Sequence, residues 1–264
     1  GPLRKIEVVV PGMKIIRSPT LSPTQERMAV FGTDTTGQTG LFLYGFASGT
    51  LSYIRGSDEA DPAAFGFSPD GAYLAFSTLL NGGVFTVRGD SDLPERRTLF
   101  GQFRFWEDAN TFFMVDYRPA GPTYRQSLSR GGPERIASID STLFADQIDL
   151  LFGMIPGTDL AYGHRGYIAE RSVSPEYIVL NLQTGATSIG PSGVYDPVMI
   201  AGGQLLYQHV MEDGPLVFQS VRSDTGELYG PTREVALEFP GSNFSSSTDG
   251  SLVFVPRYEA APDQ

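Results

Sequence analysis

Apolar and polar residues alternate along this chain in short runs, and clusters of Gly, Pro, Asp, Ser and Thr separate the runs. A period of two broken by turn chemistry predicts β-strands joined by hairpins. The stretch FGFSPDGAYLAF, residues 65–76, is the sharpest instance. Pro69 presets φ, Gly71 accepts positive φ, and the flanks alternate as a half-buried hairpin requires.

The same shape recurs. With FGFSPDGAYLAF anchored at Asp70, LSPTQERMAVF aligns at Thr24, FWEDANTFFMV at Asp108 and FGMIPGTDLAYG at Pro156. VMIAGGQLLYQ follows at Ala201 and FSSSTDGSLVFV at Asp249. Successive anchors lie 46, 38, 48, 45 and 48 residues apart, the spacing of propeller blades. A second hairpin recurs between anchors, as in GLFLYGFASGTLSYI, TYRQSLSRGGPERIASI and EYIVLNLQTGATSIG, with Gly in each turn.

Each unit therefore carries four strands, and the pattern predicts an all-β, six-bladed propeller of four-stranded antiparallel blades. One domain is expected over residues 3–257, with 258–264 as a tail and Gly1-Pro2 as a cleavage scar. The sixth unit lacks a second hairpin. The strand-like LRKIEVVV, residues 3–10, is expected to pair into that last blade and close the ring, which hides an edge. The one helix-like period lies at STLFADQIDLLF, residues 141–152.

Composition narrows the chemistry. Cysteine is absent, so disulfides, thiolate metal sites and a cysteine nucleophile are excluded. The formal charge of −11 is spread along the chain and disfavours nucleic acid and anionic membrane as partners. No apolar run approaches the length of a membrane helix.

Catalytic chemistry is thin. No Gly-x-Ser-x-Gly elbow, Walker lysine or metal-ligand spacing is present. The pairs Asp58-Glu59, Glu107-Asp108 and Glu212-Asp213 lie beside turns and read as solvated charges. Trp106 reads as core. His164 and His209 follow the second strands of adjacent units at matching places, which raises a shared ligand site across two blades. The loops after second strands hold the candidate binding residues: Asp34, Tyr117, Arg118, His164, Arg165, Tyr167, His209, Glu212 and Asp213. Ser68, Pro69, Asp70, Gly71, Asp249 and Gly250 read as structural turns. No catalytic residue, metal or cofactor is expected.

The stretches RSPTLSP, ASGTLSYI, FGFSPDGAYLAF and SLSRGGPERIA together resemble the TolB-like propeller repeat. Their order is similar to the C-terminal region of bacterial transmembrane serine/threonine kinases. Thr24-Gln25 and Asp108-Ala109 depart from the Asp-Gly of that repeat. The resemblance implies a non-catalytic, extracytoplasmic sensor domain of a membrane-anchored kinase, binding a ligand, peptide or envelope protein, with a homodimer allowed. A TolB-like periplasmic scaffold, and a propeller enzyme or peptidase-gating propeller, are the alternatives.

Overall fold

A computed structural model of the chain describes residues 9–79, 82–89, 91–116, 123–129, 131–136, 148–166, 175–200, 202–209, 215–235, 245–246 and 253–254. All regular structure among them is β. Blade one contains β1 (Met13–Leu21), β2 (Arg27–Asp34), β3 (Thr39–Gly45) and β4 (Leu51–Tyr53). Blade two contains β5 (Ala60–Phe67), β6 (Tyr73–Thr78), β7 (Val84–Arg88) and β8 (Glu95–Arg96). Blade three contains β9 (Gln102–Trp106), β10 (Thr111–Val115), β11 (Thr123–Ser127) and β12 (Glu134–Arg135).

Blade four contains β13 (Ile148–Met154), β14 (Leu160–Gly166), β15 (Glu176–Asn181) and β16 (Thr187–Ser192). Blade five contains β17 (Val194–Ile200), β18 (Gln204–His209), β19 (Leu216–Val221) and β20 (Leu228–Val235). In every blade the four strands pair antiparallel in sequence order. β21 (Ser245–Ser246) pairs with β22 (Val253–Phe254) in a separate two-stranded sheet.

The first strands touch in turn: β1 with β5, β5 with β9, β9 with β13, and β13 with β17. β21 contacts both β17 and β1, which completes the circle. The fold is thus a propeller, with five four-stranded blades among the described residues and not the six expected. Among the described residues, the two-stranded sheet stands in the remaining place. Of the expected closing strand, residues 3–8 lie outside the described residues, and Val9 and Val10 join no ladder among the described residues. The helix-like stretch is also corrected. Ile148 to Phe152 belong to β13, an innermost strand rich in apolar residues, and residues 141–147 lie outside the described residues.

Each sheet packs on both faces, so its middle strands are apolar on both sides. Leu74 and Phe76 face blade one, in a cluster with Phe31 and Leu41, while Ala75 faces blade three. Phe112 and Met114 face blade two, whereas Phe113 turns to blade four. A strand flanked by two cores reads as a continuous apolar run, as in β10. Trp106 is core, as expected, and its Nε1 donates to the Gly66 carbonyl at 2.9 Å, tying blade three to blade two.

The anchor turns explain the repeat. In blade two, the Ser68 N–H donates to the Tyr73 carbonyl at 2.8 Å and Ser68 Oγ donates to Asp70 Oδ1 at 2.6 Å. Gly71 takes φ +72° and donates its N–H to the Ser68 carbonyl. Blade one repeats this frame with Ser22 and Arg27, and Gln25 adopts φ 57° where blade two has glycine. The departure from Asp-Gly therefore leaves the turn geometry intact, at a conformational cost of about 1 kcal/mol. Gly71→Ala is expected to cost about 1–2 kcal/mol, from the left-handed backbone and a 3.3 Å approach of its Cβ to Pro23 Cδ. A urea denaturation midpoint lowered at unchanged slope would show it.

Candidate functional site

The innermost strand of every four-stranded blade breaks register against its second strand. Pairing jumps between Arg17 and Thr20, Ala60 and Phe65, Phe103 and Phe105, Leu151 and Gly153, and Tyr195 and Val198. Pro19, Pro62 and Pro197 fall within three of these breaks. Proline cannot donate to a ladder, so a strand holding it bulges. Bulges re-aim side chains, and here they do so around the ring. Arg104 and Phe152 fall inside two of these register shifts.

In blade two the bulge is fastened to its neighbour. Asp61, buried, accepts the Ala63 N–H at 2.9 Å through Oδ1 and the Gln102 side-chain amide of blade three through Oδ2. Blades four and five are tied similarly. The Tyr162 hydroxyl accepts the Met199 N–H at 2.9 Å, and the Tyr177 hydroxyl donates to the Gly226 carbonyl at 3.1 Å. Burial pushes the Tyr162 phenol up to about 12 and raises Tyr177 further, so both stay protonated.

His164 stands where three blades converge. It lies within β14, not in the loop beyond it, and its ring meets Phe152 edge-on at 5.1 Å and Tyr195 at 6.5 Å. Arg104 of blade three acts on it through its charge. Burial, and then that cation, depress the His164 pKa to about 4, so the imidazole is neutral near pH 7. Its Nδ1 is buried and has no hydrogen-bond partner among the described residues.

The sign of the pH dependence follows. The folded-state pKa lies below the unfolded value of about 6.5, so the unfolded chain binds more protons between them. His164's contribution is complete above about pH 6.5 and is lost as pH falls toward 4. By pH 5 the loss is about 2 kcal/mol. Urea midpoints at pH 7.5 and pH 5 should therefore differ less in His164→Gln than in the wild type.

The second histidine occupies a different register position. Gln208, not His209, corresponds to His164, because Leu205 follows the turn of blade five as Ala161 follows that of blade four. His209 is exposed at the end of β18, its Nδ1 lies 3.2 Å from the Gly193 carbonyl, and its ring meets Tyr207 at 6.5 Å. No group of three potential metal ligands occurs among the described residues.

The other candidates separate. Asp34 Oδ1 accepts the Thr36 hydroxyl at 2.7 Å and the Thr36 and Gln38 N–H groups at 2.9 Å. The Thr36 hydroxyl is the main cause of its lowered pKa, and the carboxylate closes its own loop. Arg165 follows His164 in β14 and is paired in register with Asp149 and Glu176. Tyr117, Arg118, Tyr167, Glu212 and Asp213 lie outside the described residues, as do Asp249 and Gly250. Arg104, Phe152 and Tyr195 were not foreseen. The Asp61-Pro62, Asp196-Pro197 and Ser18-Pro19 pairs were the available signal that the inner strands bulge.

The five blades and their ring of bulged first strands define a β-propeller with a TolB-like fold. TolB from Acinetobacter baumannii matches with a TM-score of 0.59 and 18% identity over 81% of this chain, which spans 55% of that protein. A protein taken to be TolB from Agrobacterium tumefaciens matches with a TM-score of 0.61 and 14% identity, over 83% of this chain and 80% of that one. An oligogalacturonate lyase in complex with manganese is similar too, with a TM-score of 0.61 and 12% identity over 89% of this chain and 68% of that one. At such identities the likeness is one of fold. No family model and no curated protein matches the sequence.

Proposed function

We propose that this propeller is a non-catalytic recognition module that takes a ligand, peptide or envelope protein at the end of the ring where second strands pass into third strands. The seam around His164 supports this reading. There an imidazole, two aromatic rings and a guanidinium from three successive blades converge. Aromatic and Arg side chains are the usual anchors of a recognition surface. A catalytic imidazole needs a partner that fixes its tautomer, and none among the described residues bonds Nδ1.

By the resemblance of its repeats, the module is the extracytoplasmic sensor of a bacterial receptor-type serine/threonine kinase. Binding would signal by bringing receptors together, because a closed ring of packed blades is poorly suited to large internal shifts. A TolB-like periplasmic scaffold is the second reading, and the similarity to the TolB folds favours it. A kinase domain and membrane helix upstream in the full-length gene support the first reading; their absence there supports the second.

The fold also occurs in prolyl endopeptidases and the lyase, so catalysis needs its own test. Ester, peptide and glycoside substrates should show no turnover that distinguishes wild type from His164→Ala. Turnover lost on that substitution would overturn the recognition reading.

A further inference from the structure

A second surface lies at the opposite end of the blades, where the anchor turns of blades one and two meet. Arg27 opens β2, and its Nη2 donates to the Gly71 carbonyl in the neighbouring turn at 3.0 Å. Its guanidinium lies against the backbone of Gly89, where any Cβ would collide with it. Gly89 in turn donates its N–H to the Ala72 carbonyl at 2.9 Å. The cation is therefore held in place before any ligand arrives.

Arg88, exposed at the end of β7, stands opposite Tyr73 in the ladder. Together Arg27, Arg88, Tyr73, Ala72 and Gly89 line an open groove of about 520 Å³. Two of its five lining residues are cationic and none is acidic, on a chain with 30 carboxylate side chains against 19 Lys and Arg. The Asp70 carboxylate nearby is engaged by the Ser68 hydroxyl and the Ala72 N–H.

We infer that this groove binds a carboxylate of an acidic peptide segment in a protein partner. A guanidinium carries five N–H donors in a fork that matches a carboxylate, so Arg27 can hold Gly71 and Arg88 its own contacts while both still serve a ligand. The Tyr73 ring offers apolar cover beside them. A long polyanion would meet the −11 field of the rest of the surface, whereas a short acidic segment is matched by two cations. The surface is independent of the seam at His164, on the other end of the blades.

Titration calorimetry with hexaglutamate and, separately, inorganic phosphate tests it. The variants are Arg88→Ala, which removes an exposed side chain, and Gly89→Ala, which displaces the Arg27 guanidinium. Hexaglutamate binding should weaken at least tenfold in each variant, weaken with added salt, and exceed phosphate binding. Thermal melting of Arg88→Ala close to wild type establishes that the loss is not unfolding. Absent hexaglutamate binding, equal binding by wild type and Arg88→Ala, or phosphate binding as tightly as the peptide at the same groove would each overturn the inference.

Discussion

Phe112→Ala should lower the stability of the ring by about 3–5 kcal/mol, the largest effect expected of a single core truncation here. Phe112 is fully buried on β10 and faces blade two. Its ring meets Trp106 edge-on at 5.5 Å and Phe103 at 6.0 Å, and those two meet each other at 6.1 Å. The three rings fill the seam between blades two and three. Trp106 is anchored through Nε1 to Gly66, so it cannot swing into the void, and the cavity term is expected to be large. At roughly 2–4 °C per kcal/mol for a chain of this size, melting should fall by about 10 °C. A loss below about 1 kcal/mol, read from the urea midpoint at constant slope, would contradict packed blades at this seam.

Gly226→Ala should cost about 3 kcal/mol although it adds one methyl group to a turn. Gly226 closes the outer hairpin of blade five with φ +74°, and the turn leans on blade four. A Cβ there would stand 2.7 Å from Ile155 Cδ1 and from Val179 Cγ1, both on buried residues. The Gly226 carbonyl accepts the Tyr177 hydroxyl, so displacing the turn also leaves a buried phenol without its partner. Gly49 provides the control. It occupies the comparable turn of blade one with φ +65° and nothing within 4 Å of an added Cβ. Gly49→Ala should therefore cost only the backbone strain, about 1 kcal/mol. Equal effects at the two glycines would show that the turn of blade five does not rest on blade four.

Much of this architecture was legible because it is repetitive. Five anchor turns fall between first and second strands, at Thr24, Asp70, Asp108 and Pro156 and between Ile200 and Gln204, because each unit must reverse the chain at the same place. The blade count was over-read, since an anchor motif predicts only the two strands around it. Among the described residues, β21 and β22 show the motif without an outer pair. The stretch at residues 148–152 misled for a related reason: its apolar residues Ile148, Leu150, Leu151 and Phe152 do not keep a clean period of two.

The site was less legible. His164 was visible as a rare residue type, but its neighbours come from β9, β13 and β17 and are brought there by bulges. Register breaks have only a faint local signature, here the prolines of three inner strands. Asp34 looked like an exposed loop ligand and proves to be satisfied by Thr36 and Gln38. The groove at Arg27 was invisible because it joins residues from two blades around a glycine, Gly89, whose lack of a side chain admits the guanidinium.

Recognition at the His164 seam is tested most directly by melting wild type and Tyr195→Ala in parallel with individual purified envelope-protein domains. A true partner at ~100 times its Kd adds about 2.7 kcal/mol, which raises melting by about 5–10 °C. That rise is expected in wild type and its loss in Tyr195→Ala, with the unliganded melting of the two within a few degrees. A partner that stabilises both proteins equally would contradict recognition at that seam.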